Sequence, residues 1–179
     1  MTRHWRRTLR NAFVILLLAA GLLLTLRQER QGEDHSAIYT AVDGDSLRRG
    51  DTDFRLYGID APELHQTCGN RMGGDYDCGR EARRALARLI AGRALACREL
   101  DEDRYGRMVV RCRDGDRDIG REMVKAGWAI AYLRHSADYA SDEAAARAAG
   151  RGLWARSFEA PEDWRNLRRN FLSGAASAD

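Results

Sequence analysis

The chain has 179 residues, 44% of them hydrophobic and 32% charged, which suits one folded domain with tails and excludes a disordered polymer. Its net charge of +3 does not make it a general polyanion binder. Four of the 30 basic groups (Arg3, Arg6, Arg7 and Arg10) fall in residues 1–26 without an acid, so the remainder carries 26 basic against 27 acidic groups, and a phosphate site must be built locally.

Those arginines precede the apolar run Ala12–Leu26, which Arg27 closes. As a helix this run reaches about 22 Å, short of the roughly 30 Å hydrocarbon core of a bilayer. Residues 1–26 are therefore expected to be an uncleaved signal anchor or a cleaved signal peptide. A small-residue pattern stands at Ala19-Ala20-Gly21, but the apolar run continues past it to Leu26. The arginine excess on the N-terminal side predicts an exported body. That body lies on the periplasmic side of the inner membrane if anchored, or is periplasmic or secreted if cleaved. Residues 27–36 read as a polar linker, 37–165 as the domain, and 166–179 as a helix end and flexible tail.

The domain opens with β-like segments, "AIYTAVDGDSL" and "TDFRLYGID", around a turn at "RRGD". Residues 79–91 place Ala82, Leu86, Leu89 and Ile90 on one helical face. "ALACRELDEDRYGRMVVRCR" reads as a hairpin, and "DG" at 114–115 as a turn. Asp118 is a good N-cap for a helix over 119–126 that Gly127 ends, and 140–149 form another helix. Pro161 opens a last helical stretch. Short strands followed by a helix, a hairpin and more helices predict an α+β domain with a small antiparallel barrel. No helix has a large apolar face to spare, so a monomer is expected.

Export gives the four cysteines a meaning, because two disulfides can form outside a reducing cytosol in three possible pairings. Cys97 and Cys112 are equidistant from the hairpin's turn, which favours their pairing across opposed strands. Cys68 and Cys78 would then close the loop "CGNRMGGDYDC".

Carboxylates near strand ends with arginines beside them suit phosphodiester chemistry. Asp and Glu oxygens ligate hard cations such as Ca²⁺, and the arginine fork matches phosphate oxygens. The candidates are Asp45 in "DGDS", then Arg55, Asp60 and Glu63 in "FRLYGIDAPE", then Arg107 in "DRYGR". An EF-hand loop is excluded, since Leu47, Ile119 and Lys125 stand where it needs oxygen ligands or glycine.

In order, "DGDS … FRLYGIDAPE … GREA … DRYGR … VKAGWA … GLW" resembles the staphylococcal nuclease (thermonuclease) family over about residues 37 to 165. The resemblance implies a five-stranded OB-fold β-barrel with three helices. It further implies that Asp45, Asp60 and the Ala61 backbone carbonyl bind Ca²⁺, with Asp43 close behind them. Glu63 would be the general base, and Arg55 and Arg107 would hold the scissile phosphate. Tyr105 would bond a neighbouring phosphate beside Arg104, and Tyr132 or Tyr139 would stack on a base. The implied reaction is Ca²⁺-dependent endo- and exonucleolytic hydrolysis of DNA and RNA, leaving 3′-phosphate ends. Two departures stand out: Ala61 replaces a threonine, and the Cys68–Cys78 segment replaces a lysine-rich loop, leaving only Arg71 and Arg80 there. Two other readings are a non-catalytic nucleic-acid-binding OB-fold module and an accessory protein of the envelope or of exopolysaccharide synthesis.

Overall fold

The computed structural model describes residues 15–16, 36–69 and 74–176. Apart from Ile15 and Leu16, which are helical, the expected signal segment lies outside the described residues. So do most of the linker, Arg71 and its neighbours at 70–73, and the tail at 177–179. Among the described residues no helix is long and apolar enough to cross a membrane.

The β-like opening folds as β1 (Ser36–Ile38), β2 (Thr40–Ala41), β3 (Ser46–Arg49), β4 (Thr52–Leu56) and β5 (Ile59–Asp60). After β6 (Cys68–Gly69) and β7 (Asp75–Tyr76) comes helix α1 (Cys78–Ile90). The hairpin is β8 (Ala94–Glu102) and β9 (Met108–Asp114), followed by β10 (Arg117–Asp118), α2 (Ile119–Lys125) and β11 (Ile130–Ala131). Helix α3 (Ala140–Ala148), a 3₁₀ turn (Gly152–Ala155) and helix α4 (Pro161–Ala176) complete the domain.

Strand order in the main sheet is β1-β8-β9-β4-β3-β2, with β10 also on β9. Because β1 and β2 are separated by one residue yet stand at opposite ends of this path, the segment 36–41 joins the two edges. The result is a nearly closed barrel, as the OB-fold expectation requires, with α4 added to the three expected helices. Helix α4 runs from Pro161, the expected opening of the last helical stretch, across residue 165, where the resemblance ends.

The core follows the patterning. Cys78, Ala82, Leu86 and Ile90 recur every four residues along α1 and are buried, the last three in the main core with Leu89 partly buried beside them and Cys78 in a smaller cluster with Cys68 and Leu153. Leu47, Leu56, Leu95 and Val110 fill the barrel interior from alternate strand positions. Asp118 caps α2 by accepting the Arg121 amide at 3.1 Å. Both disulfides form as favoured above. Cys97 lies directly opposite Cys112 in the β8–β9 register, with Cα atoms 4.0 Å apart. Cys68 and Cys78 lie 5.6 Å apart between Cα atoms and tie β6 to the start of α1.

At Gly79 the fit is tightest. A Cβ there would enter the van der Waals shell of the Glu63 carbonyl oxygen and crowd Leu64, all of it backbone that has little room to give. Gly79→Ala is expected to destabilise the domain by about 1–3 kcal/mol, measured by urea unfolding. An unchanged midpoint would mean that the Glu63 turn does not pack on α1 as described.

Candidate active site

Three pieces of backbone bring the site together. Antiparallel pairing of β3 with β4 sets Ser46 opposite Arg55, so Asp45, one residue earlier, lies beside the arginine. The Leu56 amide donates to the Asp45 carbonyl at 2.8 Å and fixes that approach. Pairing of β5 with β11 sets Asp60 opposite Ile130. Parallel pairing of β4 with β9 sets Arg55 opposite Val109, two residues past Arg107.

On this frame Arg55 bridges the two aspartates. Its Nη1 lies 2.9 Å from Asp45 Oδ1 and its Nη2 donates to Asp60 Oδ1 at 2.8 Å. Both acids are buried, with Asp45 2% and Asp60 0% exposed, so neither is solvated in the ordinary way. Burial pushes the Asp45 carboxyl well up, against the pull of Arg55 and the Ala61 amide, while Asp43 and Asp60 add like-charge repulsion. For Arg55, burial alone would lower the guanidinium, but Asp45 and Asp60 push it further up, so it stays charged.

The other expected residues fall around this pair. The Ala61 amide donates to Asp45 Oδ2 at 2.7 Å. Asp43 Oδ1 accepts the amides of Asp45 and Ser46 at 2.9 and 2.7 Å and so shapes the "DGDS" loop from behind. Glu63 sits at the edge of a cleft of about 690 Å³ that Arg55, Arg107, Tyr105 and Tyr132 also line. Its Oε2 accepts no hydrogen bond among the described residues. Arg107 donates Nε to Asp103 Oδ2 at 2.8 Å, which leaves both Nη atoms without a hydrogen-bond partner among the described residues. Tyr105 is exposed, with Arg104 and Arg107 over its ring at 4.9 and 5.7 Å. Tyr132 stacks on His135 with ring centroids 4.9 Å apart at the cleft wall.

Tyr139 is a correction. It is 1% exposed, and its hydroxyl is held 3.0–3.1 Å from both oxygens of Asp118, the residue that caps α2. A ring buried there cannot stack on a base; it joins α3 to α2.

Two residues were missed. Arg165 on α4 reaches Asp60 Oδ1 and Oδ2 at 3.1 and 2.9 Å and Glu63 Oε1 at 2.7 Å. Gln66, wholly buried, accepts the Glu63 amide at 3.2 Å and donates to the Glu159 carbonyl at 2.9 Å, tying the Glu63 turn to the chain that leads into α4. Nothing in the local pattern of "PEDWRNLRR" separates Arg165 from its neighbouring arginines, whereas a glutamine three residues beyond Glu63 was within reach of a turn argument.

Among the described residues, no three His, Cys, Asp or Glu side chains converge as a ready metal cluster. The donors nevertheless fit a hard cation: two buried carboxylates share one cationic fork, and Asp45 also feels like-charge repulsion from Asp43 and Asp60. A metal ion here would take lone pairs that guanidinium groups now use.

Residues 53–156 match the family described as staphylococcal nuclease homologue. The chain belongs to the staphylococcal nuclease family. It is 31% identical over 143 residues to a protein of Escherichia coli O157:H7 named an uncharacterized endonuclease, covering 75% of this chain and 86% of that one. It is 36% identical over 118 residues to the succinoglycan biosynthesis protein ExoI of Rhizobium meliloti, covering 64% and 62% of the two chains. With the rice protein named probable staphylococcal-like nuclease CAN3 it shares 37% over 120 residues, which is 65% of this chain and 29% of that one. The match thus spans less than two thirds of the Rhizobium and rice relatives' own lengths.

If Tyr139 is the joint between α2 and α3, Tyr139→Phe removes a buried hydrogen bond and costs about 1–2 kcal/mol in urea unfolding. A midpoint equal to that of the unaltered protein would contradict this assignment.

Proposed function

We propose that the cleft is the active site of a Ca²⁺-dependent nuclease that hydrolyses the phosphodiesters of DNA and RNA. One observation carries the reading: Arg55 joins two buried aspartates on the wall where Glu63 stands, in the same cleft as the Arg107 fork. Family membership and the nuclease names of several relatives support it.

In this reading Arg55 and Arg107 donate to the non-bridging oxygens of the scissile phosphate, where negative charge grows in the transition state. Tyr105 and Arg104 hold a neighbouring phosphate, and Tyr132 meets a base. Glu63 Oε2 takes a proton from a water molecule as the water oxygen bonds to phosphorus. The bond from phosphorus to the 5′-oxygen breaks, leaving a 3′-phosphate and, with a proton from solvent, a 5′-hydroxyl. Asp45, Asp60 and the Ala61 carbonyl would hold Ca²⁺, with Asp43 bracing their loop, and the ion would supply further neutralisation of the phosphate charge. Asp103 keeps the Arg107 guanidinium aimed through Nε, so its Nη edge needs little ordering on binding.

The reaction would take place outside the cytoplasm. The arginine-flanked apolar segment supports export and membrane contact, and the two disulfides fit an oxidising compartment. A monomer suffices for the chemistry, since every residue named comes from one chain.

The test uses oxidised full-length chain in detergent, with plasmid and single-stranded DNA, in Ca²⁺ and in chelator. Cleavage is expected to require Ca²⁺ and to fall by about 10²–10⁴-fold in Glu63→Gln. Folded protein that does not cut in Ca²⁺ would end the enzyme reading. A gel shift without cutting would then point to a binding module, and neither result to an accessory role.

A further inference from the structure

Helix α4 lies outside the residues that match the family, yet it contributes a side chain to the centre of the site. Asp60 has two oxygens and no access to solvent. Arg55 Nη2 and Arg165 Nη1 share Oδ1, and Arg165 Nη2 takes Oδ2. These three bonds take most of the roughly four lone-pair sites of the carboxylate and place two guanidinium groups within 3.1 Å of its oxygens. A divalent cation on Asp60 would stand against both guanidinium charges at close range, and that repulsion favours release of one of them.

Which arginine yields follows from how each is held. Arg55 stands on a central strand of the barrel, with its side chain 19% exposed, and it also contacts Asp45 and the Ile59 carbonyl. The Arg165 side chain is 28% exposed, and among the described residues its hydrogen bonds run only to Asp60 and Glu63. The backbone of α4 need not move for Arg165 to turn away. Pro161 is buried, Glu159 is bonded to Gln66, and Glu162 pairs with Arg134 at 3.1 Å, so the start of the helix is pinned independently.

We propose that Arg165 is a positioning residue that holds Asp60 and Glu63 together in the metal-free protein and gives up Asp60 when a divalent cation binds. The inference rests on the reading of Asp60 as a metal ligand. Arg165 then competes with the metal for the same oxygens while its bond to Glu63 Oε1 keeps Oε2 directed into the cleft. Linkage makes the effect reciprocal: removing Arg165 strengthens cation binding and weakens the metal-free fold, where buried Asp60 would keep Arg55 as its one cationic partner among the described residues.

Calorimetric titration of Ca²⁺ into the oxidised full-length chain in detergent, without substrate, measures this directly. Arg165→Gln is expected to bind Ca²⁺ about tenfold more tightly than the unaltered chain, and to melt at a lower temperature in chelator. Arg169→Gln is the control for a general charge effect. Arg169 lines the same cleft but bonds Asn166, so its loss should change affinity by less than about twofold. Equal affinity in Arg165→Gln and the unaltered chain overturns the inference alone, as does an equal gain in both variants. Absence of Ca²⁺ binding in every form overturns the metal reading of Asp60 as well. Asp60→Asn in the Arg165→Gln background is expected to lose the tightened binding, and tight binding retained there would also overturn the inference.

Discussion

Asp60 is a carboxylate with no exposed surface, and a buried charge is tolerated only where opposite charge and hydrogen bonds replace water. That requirement organises the site. It draws Arg55 from β4 and Arg165 from α4 onto one side chain, from segments 5 and 105 residues away in the chain. Asp45 shares the same fork, so a change at any of the four groups is felt by the others. The same arrangement carries opposite charges in near balance beside a cleft that Arg55, Glu63 and Arg165 line.

Glu63 is placed by a different means. Its turn is clamped from three sides: by Gly79 at the start of α1, by Gln66 within the turn, and by Arg165 on the carboxylate itself. The Cys68–Cys78 disulfide fixes where α1 begins and so supports the first clamp. The segment that replaces the family's lysine-rich loop thus brings a covalent brace, and positive charge enters the cleft from α4 instead, through Arg165 and Arg169.

Much of this was legible because it is local. Asp45, Arg55, Asp60 and Glu63 lie within 19 residues, and one strand pairing and one turn bring them together. The symmetric placement of Cys97 and Cys112 about a hairpin turn translates directly into register, and Asp118 before an apolar period is a local capping signal. What escaped was long-range. Arg165 meets Asp60 across 105 residues of chain, and no local spacing encodes that contact. Tyr139 misled for a related reason: an aromatic next to a helix start looks available until the buried Asp118 carboxylate claims its hydroxyl. The resemblance reaches only to about residue 165, while the helix that carries Arg165 runs over Pro161–Ala176.

A crystal structure of the protein with Ca²⁺ and a nucleoside 3′,5′-bisphosphate would test the central claim most directly, that buried Asp60 exchanges an arginine for a metal beside a phosphate held by Arg55 and Arg107. The expected result is density for the ion on Asp45 and Asp60, a phosphate on the two arginine forks, and Arg165 turned off Asp60. An ion bound elsewhere, with Arg165 still bonded to both Asp60 oxygens, would contradict it.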